Sequence, residues 1–391
     1  MTSLLMLSPA PLTEVVAGEV VLDVKFVEGM KLHCQLWPGP VRCVLWRGAH
    51  SIDDPMRYSV AQLGFELIVL DEGAPVPELL LDECALVYCS ADDMKHLDLP
   101  QAMRGRFGKL VYTIEQSLVG RIAAGIAQQA KMRRRIGSAI YNLRNERSLR
   151  VALAQADAIH CNGYPAKRSY ARLNPSSLSY LDNRIRTPML VRGSEQEARA
   201  ERLLSGAPLR FLWYGMMTPE SRVLDFLPIA CVLAQRGVPF TLDMIGTGPL
   251  EARLRDGIAA LGLGDCVRLS PPKPFDVRLI PQMRQQADVF LSTRRLPTPL
   301  SSYVEALGCG LPILGVRNAM WRNLHAASGA GWVVGRGGAG RMVHAIERLH
   351  DNRGSVIAAS VKGVDFARGN SFETVFARRM THLREVVHAD A

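Results

Sequence analysis

The stretch PLSSYVEALGCGLPIL, residues 299–314, sets one carboxylate, Glu305, among small and apolar residues. A carboxylate is costly to bury without partners, so its position asks for a purpose. Thr298 or Ser301 can cap a helix that starts here, and the amides of Leu300, Ser301 and Ser302 can point at a phosphate. Glu305 then falls on the first or second turn. The helix dipole favours negative charge there, and the carboxylate can accept hydrogen bonds from vicinal hydroxyls such as those of a ribose. Gly308 and Gly310 bring the backbone close, and Leu311-Pro312 starts the next buried strand.

A second loop of this kind is Gly246-Thr247-Gly248-Pro249, which follows FTLDMI and opens LEARLRDGIAALG. Its glycines let a backbone approach a ligand, and the helix start offers N–H groups to an anion. A plain strand-to-helix turn would use the same residues. No Gly-x-Gly-x-x-Gly follows the first apolar run, SLLMLS, which argues against a dinucleotide fingerprint. No Asp-x-Asp occurs, and the pairs Asp92-Asp93 and Asp53-Asp54 read as turn residues, so no metal site is expected. His160 in AIHCNG reads as a strand residue satisfied by hydrogen bonds.

Such loops need strands behind them. Short β-rich runs recur in the second half at LRFLWYG (209–215), FTLDMIG (240–246), CVRLS (266–270), ADVFLST (287–293), LPILGV (311–316) and GWVVG (331–335). Helix-like stretches lie between most of them, which predicts βαβ units and parallel strands covered on both faces. The first half repeats the theme with SLLMLS, VRCVLW, ELIVLD, ALVYCS, KLVYTIE and AIHCNG. The polar stretch VRGSEQEARAERLLSGAP (191–208) reads as a linker, and the C-terminal SFETVFARRMTHLREVVHADA as one amphipathic helix capped by Ser371. The expected class is α/β, with a doubly wound domain at 1–195 and another at 206–370. In sheets of this kind ligands bind beyond the C-terminal strand ends.

The 391-residue chain is 48% hydrophobic and 21% charged, the composition of a soluble globular protein of two domains. No apolar run is long enough to span a bilayer, and the N-terminus lacks the marks of a signal peptide. The eight cysteines show no Cys-x2-Cys spacing and read as reduced thiols, so the chain reads as cytoplasmic. Its net charge of +10 is concentrated. Between Gln101 and Arg150, eleven Lys or Arg stand against two acids, Glu115 and Glu146, a local balance of +9. Within 117–153, Ile122, Ile126, Ile136, Ile140 and Leu143 fall near helical spacing around KMRRR, the pattern of a basic helix lying on an anionic membrane. A solvated face on a core helix is the alternative. Aromatic residues are 6% of the chain and none interleave with these arginines, which argues against nucleic acid.

The order strand, GxGP, helix, ADVFLS, EALGCGLPIL and GWVV over residues 210–350 resembles the donor domain of retaining GT-B glycosyltransferases. These are of the group 1, or family 4-like, type in bacterial polysaccharide or glycolipid assembly. The resemblance implies two Rossmann-like domains facing across a cleft, with the helix at 371–391 packing back on the first. It implies a nucleotide diphosphate sugar as donor substrate, no cofactor and no metal. A sugar would pass, with retention, to a hydroxyl of a lipid-linked or saccharide acceptor, in a protein peripheral to the inner face of the plasma membrane. By the same resemblance Glu305 would bind the ribose, and the amides of Leu300, Ser301 and Ser302 the diphosphate. Gly215, Gly246, Thr247, Gly248 and Thr298 would line the donor site.

This sequence departs from the family pattern at four places. Pro297 stands where a first glutamate is usual, and Met216 and Ser221 where a basic pair is usual. Arg222, Arg294 or Arg295 would substitute for that pair, since guanidinium suits phosphate oxygens. Glu115 stands where relatives end a strand in histidine near the reacting sugar. It would orient or deprotonate an acceptor hydroxyl, or stabilise positive charge on the donor sugar; a strand-end glutamate in a salt bridge is the alternative. Another sugar-nucleotide enzyme of the same fold, and a degenerate member that binds a nucleotide sugar or a partner transferase without turnover, remain as rival readings.

Overall fold

The structure, a computed structural model, describes residues 3–16, 18–48, 52, 55–129 and 132–389. Asp53 and Asp54 lie outside them. The chain divides into two compact units: Met1–Leu118 with Ile140–Tyr180 and Glu373–Ala391, and Val119–Ala139 with Leu181–Phe372.

The first unit holds β1 (Leu4–Leu7), β2 (Thr13–Val16), β3 (Glu19–Asp23), β4 (Val41–Trp46), β5 (Pro55–Ser59), β6 (Glu66–Leu70), β7 (Leu86–Ser90), β8 (Lys109–Ile114), β9 (Ala158–Asn162) and β10 (Ser177–Tyr180). Seven of these form a parallel sheet in the order β10-β9-β8-β7-β1-β4-β6. Every strand of this sheet but β10 splits its apolar residues between two cores, as a doubly covered sheet must. Leu5, Val87, Tyr112 and Ile159 face one core; Leu4, Leu86, Val111 and Ala158 face the other. Every apolar run read as a strand in this half is one. β10 and the separate antiparallel trio β2-β3-β5 were not legible as strands.

Helix Phe372–His388 packs its Met380 and Leu383 into the second of these cores, beside Leu4 and Val111. Polar contacts fix its register. Arg379 donates to the Tyr88 hydroxyl at 2.7 Å and lies 4.4 Å over the Tyr180 ring. His382 Nδ1 meets His160 Nε2 at 3.0 Å, and His160 Nδ1 meets the Tyr88 hydroxyl at 3.0 Å. His160 is thus the hydrogen-bonded strand residue expected, and burial holds its pKa well below the usual histidine value.

The second unit holds β11 (Leu209–Tyr214), β12 (Phe240–Ile245), β13 (Val267–Ser270), β14 (Val289–Ser292), β15 (Ile313–Val316) and β16 (Gly331–Val334), all parallel, in the order β13-β12-β11-β14-β15-β16. The six strands are the six apolar runs read from the sequence, and their order is a doubly wound one. The stretch 191–208, read as a linker, instead folds as helix Gly193–Leu204. Its Arg199 is 4% exposed and donates to the carbonyls of Met283 (3.2 Å), Arg284 (2.6 Å), Cys309 (3.0 Å) and Gly310 (2.7 Å). These carbonyls lie at the C-terminal ends of helices Ile280–Gln286 and Ser301–Gly308, where unpaired C=O groups and the negative dipole end favour a cation. Burial lowers the guanidinium pKa to about 10.

Arg199 therefore anchors this helix to the sheet's helical layer. Arg199→Met keeps the length and removes the donors, and is expected to cost about 3 kcal/mol of stability. Urea denaturation reads it; an unchanged midpoint would contradict the anchoring role.

Candidate functional site

In the second sheet the chain runs outward from β11 in both directions, so β11 and β14 are neighbours that belong to opposite halves of the winding. The space beyond their C-terminal ends is the switch point at which such sheets bind ligands. Three loops converge there, following β11, β12 and β14.

The first two interlock. Gly215, Gly246 and Gly248 have φ values of 145°, 153° and 148°, which side-chain-bearing residues rarely adopt. A Cβ on Gly246 would stand 2.0 Å from the Gly215 carbonyl oxygen, and one on Gly248 2.8 Å from the Met217 amide. The Met217 amide donates to the Thr247 carbonyl at 2.8 Å, and the Leu250 amide to the Met217 carbonyl at 3.0 Å. The close approach that these glycines permit is thus, first of all, loop against loop. Thr247 is exposed, and its hydroxyl donates to Glu251 at 2.8 Å.

The loop after β14 is tied to the loop after β11. Thr293 Oγ1 donates to the carbonyls of Ser221 (3.2 Å) and Arg222 (3.0 Å), and Arg222 is held in the left-handed region at φ 55°. Arg222 forks onto Asp225 at 2.7 and 2.9 Å, and Arg295 reaches the same carboxylate at 3.5 Å. Arg294 donates to Thr298 Oγ1 at 2.7 Å, and burial lowers its pKa. Two of these three guanidinium groups share one carboxylate. Among the described residues, the buried Nε atoms of Arg294 and Arg295 have no hydrogen-bond partner. Desolvated cations with unmet donors gain most from an incoming anion.

Helix Ser301–Gly308 starts beside this cluster, but neither expected cap is made. The capping position is Leu300, with no side-chain cap bond, and Thr298 turns to Arg294 instead. The Ser302 hydroxyl is buried without a partner. Glu305 lies on the second turn, 2% exposed. Its Oε1 accepts from the Arg184 amide at 2.9 Å, and its Oε2 accepts from the Tyr214 hydroxyl. Tyr214 ends β11, so the carboxylate joins a strand end, a helix and the segment entering this unit. Gly308 and Gly310 receive protein rather than open space: added Cβ atoms would stand 2.7 Å from Ile185 and 2.4 Å from Arg199.

Arg184, Tyr214, Asp225 and Asn318 were not singled out from the sequence. Asn318 caps helix Ala319–Ser328 through the Trp321 amide at 2.8 Å and donates to the Arg294 carbonyl at 3.0 Å. Tyr214 alone left a signal, a hydroxyl at the last position of a mostly apolar strand.

In the first unit Glu115 follows β8 and is exposed, with Oε1 accepting from Asn162 Nδ2 at 2.9 Å. Asp92, after β7, accepts from the amides of Glu115 (2.8 Å) and Gln116 (2.9 Å), the bracing role of a turn residue. Glu115 is thus presented at a C-terminal sheet edge by two neighbouring strand ends.

The basic segment forms two helices, Leu118–Gln128 and Met132–Gln155. Val119, Ile126, Met132, Ile136, Ile140, Tyr141 and Leu143 are exposed along them. Among the described residues no helix is long and apolar enough to cross a membrane.

Residues 194–360 match the family described as Glycosyl transferases group 1. The amylovoran biosynthesis glycosyltransferase AmsK of Erwinia amylovora is 31% identical over 160 residues, which is 38% of this chain and 38% of that protein, so the match spans well under half of either. The crystal structure of HepE from Anabaena in complex with UDP superposes with a TM-score of 0.67 at 13% identity, over 98% of this chain and 100% of that one. WaaG, a glycosyltransferase involved in lipopolysaccharide biosynthesis, gives 0.61 at 11% identity, over 97% and 99%. At such identities these structures speak for the fold alone. The chain has the α/β GT-B fold of two Rossmann-like domains, and its residues 194–360 are similar to the glycosyl transferases group 1 family.

Proposed function

We propose that the protein is a glycosyltransferase that moves a sugar from a nucleoside diphosphate sugar to a hydroxyl of a lipid-linked or polysaccharide acceptor in exopolysaccharide assembly. The observation that carries this reading is the cluster of Arg222, Arg294 and Arg295 at the switch point, with buried guanidinium donors unmet, beside the start of helix Ser301–Gly308. The UDP in the HepE structure and the amylovoran role in the name of AmsK support it.

In this reading the arginines and the amides of Leu300, Ser301 and Ser302 take the diphosphate and stabilise its charge as the glycosidic bond breaks. The charge they supply makes a metal unnecessary. Glu305 meets the ribose by exchanging the Tyr214 hydroxyl for a ribose hydroxyl, one acceptor bond for another. Glu115, oriented by Asn162, faces the acceptor hydroxyl. Transfer proceeds with retention, as the Glu305–Pro312 motif of the resembling family implies.

A second reading, nucleotide-sugar binding without turnover, is favoured by Pro297 in place of the usual first glutamate. Slow hydrolysis of a bound donor supports the enzyme; binding without hydrolysis or transfer supports the second reading. A thermal-shift panel of nucleoside diphosphates identifies the base. With that nucleotide, Arg294→Ala is expected to weaken binding about tenfold or more. Glu305→Gln is expected to weaken it as well, and Tyr214→Phe to leave it equal or tighter. Unchanged affinity in both Arg294→Ala and Glu305→Gln would remove the donor site from this corner.

We further propose that the protein sits peripherally on the inner face of the plasma membrane through residues 117–153. Exposed Ile126, Ile136, Ile140 and Leu143 stand among Arg133, Arg134, Arg135 and Arg144, which favours a membrane surface over a core face. Each cation near an anionic leaflet contributes about 1 kcal/mol. Cosedimentation with anionic vesicles is expected, reduced at least tenfold in Arg133→Ser/Arg134→Ser/Arg135→Ser. Equal binding to neutral vesicles would count against it.

A further inference from the structure

A second basic cavity lies in the same unit, beyond the C-terminal ends of β15 and β16. It measures about 480 Å³ and is lined by Arg317, Asn318, Arg322, Gly335, Arg336 and Arg341. Four guanidinium groups gather there, and among the described residues no carboxylate lies within 4 Å of any of them. Several arginines elsewhere in this unit do meet carboxylates: Arg202 and Arg210 share Asp288, Arg268 meets Asp243, and Arg284 meets Glu195. Gathered cations without counter-charge repel one another, and that repulsion is relieved when an anion enters.

The backbone supports the same chemistry. Helix Ala319–Ser328 points its N-terminus at the cavity, and its Asn318 cap satisfies the Trp321 amide. The amides of Ala319 and Met320 lie outside the intrahelical ladder and the dipole favours negative charge there. Arg336 Nε donates to the Arg317 carbonyl at 3.3 Å, which places its guanidinium over the end of β15. Gly335 and Gly337 make room for Arg341: added Cβ atoms would stand 2.6 Å from its Nη1 and 2.5 Å from its Nε. The cavity is larger than one phosphate needs and leaves space for an esterified group.

We propose that this cavity is a binding site for a phosphorylated ligand, distinct from the donor corner, that holds a phosphate monoester or diphosphate between Arg317, Arg322 and Arg341. The two sites are neighbours, since Asn318 lines one and donates to the Arg294 carbonyl of the other. The proposal does not rest on the donor reading. A soluble phosphate ester and a phospholipid headgroup present the same chemistry, and both are tested.

The experiment titrates inorganic pyrophosphate into the full chain by calorimetry, with and without saturating UDP, for the wild type and for Arg322→Ala/Arg341→Ala. In parallel, vesicles of equal anionic charge with and without phosphatidic acid are sedimented with the same two proteins. Pyrophosphate binding that persists under UDP and weakens at least tenfold in the double variant supports a soluble ligand. Phosphatidic-acid-dependent sedimentation lost in the double variant supports a headgroup. If neither probe binds, or if the double variant matches the wild type with both, the proposal is overturned. Should UDP fail to bind at all, the donor reading suffers while the comparison of wild type with double variant still reads this cavity.

Discussion

A carboxylate taken out of water must have donors, and in the second unit that requirement ties three distant parts of the chain together. Glu305 is 2% exposed and accepts from the Arg184 amide and the Tyr214 hydroxyl. Tyr214 is the last residue of β11, so the bond fixes helix Ser301–Gly308 to the strand end that faces the switch point. Arg199 holds the other end of that helix through Cys309 and Gly310. The helix start, where an anion would bind, is thereby set between two buried polar anchors rather than left to loop packing.

Rigid placement matters because the charge it presents is expensive to keep. Arg294 is partly desolvated and its cation is disfavoured by burial. Arg222 and Arg295 share Asp225, and Arg222 sits in a left-handed conformation that costs a residue with a side chain of order 1–3 kcal/mol. Thr293 holds that conformation by donating to the Ser221 and Arg222 carbonyls. Strain and unmet donors concentrated at one strand edge are what a binding site tolerates and a purely structural corner avoids. The interlocked glycine loops perform the complementary task, packing the turns after β11 and β12 backbone against backbone.

Much of this was legible from the residues. Parallel strands covered on both faces bury everything they carry, so LRFLWY, FTLDMI and ILGV announce themselves as apolar runs. β2, β3 and β5 did not, because TEVV, EVVLD and PMRYS mix polar residues into short antiparallel strands. Helix Gly193–Leu204 was misread as a linker for a related reason. Its principal buried contact is a guanidinium, and composition counts Arg199 as solvated surface. The motif around Glu305 pointed to this corner, yet the partners of the carboxylate lie at Arg184 and Tyr214, far away in sequence, and only the fold brings them together. Of the expected caps, Thr298 has its hydroxyl claimed by Arg294, and Ser301 lies inside the helix as its first residue, with Leu300 at the capping position.

The central claim is that the arginine cluster and the start of helix Ser301–Gly308 grip one diphosphate whose ribose reaches Glu305. Crystals soaked with the nucleoside diphosphate that most stabilises the protein test it most directly. The account predicts diphosphate density between Arg294, Arg295 and the amides of Leu300, Ser301 and Ser302, with the ribose against Glu305 and the Tyr214 hydroxyl displaced. Nucleotide density elsewhere, with this corner unchanged, would contradict it.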